Sequence, residues 1–283
     1  MTFSIFLKQR VNFSCQILLH SNIHRYKPLL LTDALYTMIF ALMSKYSDPM
    51  KITMGEYSSS RKSAIIALSI MVPIPTISVI FSMNLTQGIL GNIIWFLSKL
   101  MLVAIPLIWC MKVDKYRPDF GIKNLHGLKM GVYTGIGMSL VVYLAWLILG
   151  RSYLDYSEIK GVFLSTGLTN PGVYFGLAAY WIFLNSILEE FVFRWFIFEQ
   201  AEKILSSNSA IFISAIAFTL HHTVAMSFMF PLWINLLASI GIFLGGCIWS
   251  WLYLNHRNIW SPYVSHMLVD VTLFAIGGWI LLR

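Results

Sequence analysis

Seven stretches of ~20 mostly apolar residues run along this chain, each long enough to cross a bilayer as a helix. They lie at about Ala64–Met83, Ile89–Met111, Leu128–Leu149, Val173–Phe198, Ser209–Ser227, Leu232–Leu254 and Trp260–Leu282. Backbone N–H and C=O groups cannot be left unpaired in hydrocarbon, and a helix pairs them within one segment. The expected fold class is therefore all-α: a polytopic membrane helical bundle of seven spans. An eighth is the alternative, because Leu29–Met43 is also apolar. It is short and contains Asp33, which reads better as an interfacial or half-helical segment. Pro73 and Pro75 should kink the first span. Composition agrees: 58% apolar and 11% charged, where soluble domains carry roughly 45–50% and about 25%. This excludes a soluble enzyme and a disordered chain. Cys15, Cys110 and Cys247 are widely spaced and form no CxxC pair, so they read as apolar packing residues.

The net charge of +8 is explained by where the cations sit. With the N-terminus inside, cytoplasmic segments hold 15 Lys and Arg and outer segments hold three, namely Arg151, Lys160 and Arg283. That asymmetry is the positive-inside pattern. It predicts a cytoplasmic N-terminus and contact with anionic lipid, about 1 kcal/mol per basic residue near the surface. No folded basic module is present, so no nucleic-acid partner is expected. The chain divides into a basic, polar, cytoplasmic or interfacial segment (1–62), accessory transmembrane helices (63–170), and a core carrying the chemistry (171–283).

Charges inside spans are expensive, ~2.5–3.5 kcal/mol each on insertion scales, and so mark function. The first half has only Lys99, which can snorkel toward the interface. The rest fall in the last four spans. In span four, Glu190 and Arg194 are spaced i, i+4 with the acid first, the favourable order for a helical pair, and Arg194 can grip that carboxylate through two nitrogens. Glu189 is turned ~100° away and lacks a local cation, so it is free to act as a base. The bland alternative is a helix-end cluster with Glu199 and Glu202 in solvent. In span five, Phe218 and His222 share a face, while the adjacent His221 points elsewhere and is assigned no role. In span seven, His266 and Asp270 are i, i+4, and the carboxylate can orient the imidazole. Glu189 with His222 suits a water held and deprotonated for attack on a carbonyl. His266 with Asp270 suits the oxyanion that develops. The implied reaction is amide hydrolysis within the membrane. His222 lies about 20 Å along its helix from Ser209, deeper than Glu189, and alignment needs tilt or longer helices.

The order Glu189-Glu190-x-x-x-Arg194, Phe218-x-x-x-His222, His266-x-x-x-Asp270, on separate spans, resembles the three motifs of the CPBP (CAAX-processing and bacteriocin-processing, Abi) family of glutamic-type intramembrane endopeptidases. Gly241 to Gly246 and Trp260-Ser261-Pro262 are similar to its linking region. The resemblance covers about residues 174–281. It implies an all-helical fold with a cavity between helices. It implies Glu189 and His222 as the water-activating pair, His266 and Asp270 as the oxyanion site, and Glu190, Arg194 and Phe218 as supports. The family often has Asn where Asp270 stands, and an ionised Asp would repel an oxyanion. Asp270 must then be protonated or act by orienting His266. Two His and a Glu can hold zinc, but no HExxH is present and the resemblance favours a metal-free mechanism. No cofactor is expected, with zinc the minority alternative.

The expected substrate is a protein or peptide reached from the membrane: a prenylated tail, a bacteriocin leader or a sorting tail. Short loops and the absence of eukaryotic targeting signals point to a prokaryotic plasma (inner) membrane. Two readings of other classes compete. One is a non-catalytic immunity or scaffold protein, opposed by the intact Glu189, His222 and His266. The other is a proton-coupled transporter, which would show paired broken helices in two similar halves. Here the polar groups crowd into the second half.

Overall fold

The computed structural model describes residues 61–82, 89–116, 125–165 and 170–282. The Leu29–Met43 patch, and with it the eighth-span alternative, lies outside the described residues. All regular structure among the described residues is helical. Among the described residues, seven helices are long and apolar enough to cross a membrane: α1 Arg61–Ile80, α2 Leu90–Lys112, α3 Leu128–Tyr153, α5 Pro171–Glu202, α6 Ser207–Ser227, α7 Leu232–His256 and α8 Trp260–Leu282. A short α4, Tyr156–Ser165, lies between α3 and α5. The protein is an integral membrane helical bundle.

The helix ends follow from local chemistry. The regular α-helical bonding of α1 is interrupted at Val72, beside Pro73 and Pro75, which supply no N–H. Asn170 caps α5, accepting from the backbone N–H of Gly172 at 2.8 Å, with Pro171 in the first turn. Asn258 opens α8, its side-chain oxygen accepting from Trp260 and Ser261 N–H at 3.1 and 3.0 Å.

Helix α5 is the central element. Every residue from Phe191 to Phe198 is buried, as expected for a helix surrounded by others. They pack with Ala67 and Met71 of α1, Leu102 and Val103 of α2, Phe218 of α6 and Trp249, Leu252 and Tyr253 of α7. Glycines seat α3 on α8. A Cβ on Gly131 would stand 2.3 Å from the Ser261 carbonyl oxygen, and one on Gly135 3.0 Å from Ser265 backbone. Small residues four apart let membrane helices touch backbone to backbone. Thr134 and Ser265 hydroxyls then meet at 3.0 Å. Outward-facing Val141, Ile148, Leu232 and Ile240 are exposed apolar residues suited to lipid.

One end of the bundle is tied by polar groups. Asp114 accepts from Lys203 at 2.7 Å and from Gln200 at 2.8 Å. Arg257 makes two bonds to Glu202, at 2.7 and 2.8 Å, which hold its guanidinium pKa above the ordinary range. The Tyr116 and Tyr253 hydroxyls donate to Glu199. Glu199 and Glu202 are therefore fixed in a network rather than free in solvent.

Candidate active site

The two adjacent glutamates lie on a short α-helical segment, Ser186–Glu190, flanked by π-helical turns at Tyr180–Asn185 and Phe191–Phe198. Such turns recur at functional sites. Glu189, Glu190 and Arg194 are all buried. Because α5 continues past Phe198 to Glu202 and α6 begins at Ser207, Glu189 and His222 lie at similar distances from the turn between the two helices. The longer helices remove the depth mismatch expected from the sequence.

One imidazole organises the centre. His266 Nδ1 is 2.7 Å from Glu190 Oε1. Its Nε2 is 3.7 Å from both Glu189 Oε2 and Asp270 Oδ2. The His266 ring stacks on Trp249 with centroids 4.0 Å apart and an interplanar angle of 18°. The Trp249 indole N–H donates to Ser265 at 3.2 Å. Orientation of His266 thus comes from Glu190 and Trp249. This corrects the expectation that Asp270, one turn along, does the orienting: at 3.7 Å it is outside hydrogen-bond distance.

Asp270 has another partner. Ser186 Oγ lies 2.5 Å from Asp270 Oδ2 and 2.9 Å from the Trp181 carbonyl. A hydroxyl has one proton, and a carbonyl has none to give. If the serine proton goes to Trp181, the Asp270 contact is satisfied by a proton on the carboxyl.

His222 is fixed through Nδ1, 3.0 Å from the carbonyl of Phe218 one turn earlier, and its ring lies 4.5 Å from that of Phe218. His221 departs from expectation. Its Nε2 is 3.7 Å from Glu189 Oε1, its ring stacks on Phe193, and it lies 4.0 Å from the His222 ring. Adjacent helix positions diverge at the backbone, but both imidazoles lean to the same carboxylate. Glu189, His221 and His222 offer ligand atoms that all lie within 4.8 Å of one another.

Two other expectations change. Arg194 contacts Glu190 through Nε alone, at 3.3 Å, and not by a two-nitrogen grip. Its guanidinium is packed over Phe218 at 4.5 Å and Trp249 at 5.2 Å, aromatic faces that attract a cation. Lys99 does not snorkel. It donates to Asn185 Oδ1 at 2.6 Å, one helical turn before Glu189. Ser186, Trp249 and Asn185 carried no signal in the sequence, being ordinary residues within apolar spans. His221 was visible but discounted on helix geometry.

Residues 171–272 match a family model described as Rce1-like, type II CAAX prenyl endopeptidase. No curated protein and no solved structure matches the chain. The matched stretch contains every site residue above except Lys99. Over residues 171–272 the chain is thus similar to the CAAX-type intramembrane proteases, hydrolases that act on peptide bonds, and the motif order and the seven apolar helices agree with that similarity.

Proposed function

We propose that the chain cuts a membrane-associated protein or peptide with Glu189 as general base. The last four spans are the catalytic unit and the earlier helices are accessory. The observation that carries this reading is a single buried cluster, drawn from α5, α6 and α8, in which imidazoles surround Glu189. Glu189 takes a proton from a water that His222 helps to hold, and the hydroxide adds to the scissile carbonyl. His266, donating to Glu190 through Nδ1, serves the oxyanion through Nε2 as an imidazolium. Asp270 stands beside it as a neutral acid held by Ser186, which removes the repulsion an ionised carboxylate would exert. On collapse, Glu189 returns its proton to the leaving amine and the C–N bond breaks. No cofactor enters.

The family description names prenylated substrates. For this chain the proposed substrate is a lipidated or apolar tail entering from the membrane, with bacteriocin leaders and sorting tails as the other members of that class. The distribution of basic residues supports a cytoplasmic N-terminus against anionic lipid, and the short loops between spans favour a prokaryotic inner membrane. The test compares protein termini in membranes from cells carrying wild type and Glu189→Ala. Termini that appear only with wild type support the reading and identify the substrate. Identical termini overturn it.

A further inference from the structure

His221 has no part in the proposed chemistry, yet it is buried beside the catalytic carboxylate. Three observations converge there. Glu189, His221 and His222 each offer a ligand atom, and these atoms all lie within 4.8 Å of one another. His222 Nδ1 faces the Phe218 carbonyl at 3.0 Å. As a donor it leaves Nε2 with a lone pair, which is how metal-binding histidines are usually oriented. His221 Nδ1 is buried with no hydrogen-bond partner among the described residues.

One carboxylate and two imidazoles form a donor set suited to a first-row divalent ion, zinc above all. Around a tetrahedral zinc, ligand atoms sit about 3.3 Å apart, so closing the widest gap moves each side chain by about 0.8 Å. We propose that Glu189, His221 and His222 form a divalent-metal site that silences the protease when filled. The inference rests on Glu189 being the base. A zinc protease of this donor type needs a carboxylate outside its ligand set to take the proton from water, and among the described residues of this cluster none is free. Glu190 is committed to His266 and Arg194, and Asp270 to Ser186. Metal on Glu189 therefore removes the base without supplying another. His221 adds the second imidazole, so a chain lacking it would hold the ion far more weakly.

The test is ZnCl2 titration of metal-stripped, full-length protein in detergent, read by calorimetry, with Co2+ absorption as the spectroscopic counterpart. Wild type should bind one equivalent. His221→Ala should weaken binding by about tenfold or more, at least the loss that follows when a ligand's outer support is removed. His256→Ala, which removes a histidine at the end of α7 outside the ligand set, should bind as wild type does. Size-exclusion profiles establish folding, and His221→Gln replaces the alanine variant should that one aggregate. Equal binding by wild type and the His221 variant overturns the site, as does equal loss with His256→Ala. Because the readout is binding, it stands whether or not cleavage is detected. In cleaving preparations, zinc should slow wild type, and His221→Gln should need about tenfold more zinc relative to its own metal-free rate. Acceleration by zinc overturns the silencing.

Discussion

Glu190 and His266 meet at 2.7 Å, carboxylate oxygen to Nδ1, although 76 residues separate them in the chain. The neighbouring Glu189 faces the other nitrogen of the same ring at 3.7 Å. Two adjacent carboxylates thus address one imidazole from opposite edges. Glu190 also touches Arg194, so it is occupied twice. On the proposed mechanism, that leaves Glu189 for a water and a carbonyl.

Glu189→Gln and His222→Ala should each lower cleavage by about 10²–10⁴-fold, the range for loss of a positioned proton-transfer group. Both proteins should still insert and elute as a single species. Rates on purified protein check this, and a wild-type rate for Glu189→Gln removes Glu189 from the mechanism.

Glu190→Gln should behave differently. It leaves the buried Arg194 without its carboxylate, and breaking a buried pair costs about 3–5 kcal/mol. Yield and thermal stability should fall along with activity. A variant as stable as wild type would show that the aromatic faces alone hold the guanidinium.

Asp270→Asn should retain most activity, because a neutral carboxamide can keep the Ser186 contact without adding charge beside the oxyanion. Asp270→Ala should lose about tenfold or more, consistent with a missing positioned donor or acceptor. Equal rates for the two variants would show that position 270 does not act on the oxyanion.

Gly131→Leu should destabilise by about 1–3 kcal/mol, the usual cost of forcing atoms into a packed contact, because its Cβ meets the Ser261 backbone oxygen at 2.3 Å. Activity should fall with it, since Ser261 lies at the start of the helix that carries His266. Gly137→Leu, where a Cβ meets nothing within 4 Å, should change stability by less than about 0.5 kcal/mol. Melting curves of the two variants in the same detergent make the comparison.

Exhaustive chelation should leave the rate unchanged or raise it, the latter where trace metal had been occupying Glu189, His221 and His222. A rate lost on chelation and restored by zinc would make the metal a participant in the reaction.

The spans were legible because twenty apolar residues admit few structures, and the helix ends were found to within three residues except at the C-terminal ends of α3 and, equally, α5, each missed by four. Helix α5 runs on to Glu202 because Glu199 and Glu202 find partners in Tyr253, Tyr116 and Arg257, contacts no hydropathy window registers. The motif residues were legible because buried charge is rare. Their partners were harder to see. An ideal helix turns successive side chains ~100° apart, which argued against His221 and treated Glu189 and Glu190 as facing separate neighbours. A long side chain in a crowded interior can lean across that angle, and a single imidazole with two nitrogens can serve both carboxylates. The length of Lys99 suits it to reach water, but Asn185 offers a nearer partner.

The π turns on either side of the glutamates have a consequence for the register of α5. A π turn closes on the fifth residue instead of the fourth, so it holds one residue too many for an ordinary helix. The surplus in Phe191–Phe198 resets the angular phase between the glutamate pair and the Glu199–Glu202 anchor. Both can then face their own partners on one continuous rod. Removing the surplus residue would relax the segment to a plain α-helix with both ends still facing their partners, whereas drawing all eight residues into an α-helix would rotate one end off its partners, with no change in hydrophobic character at all.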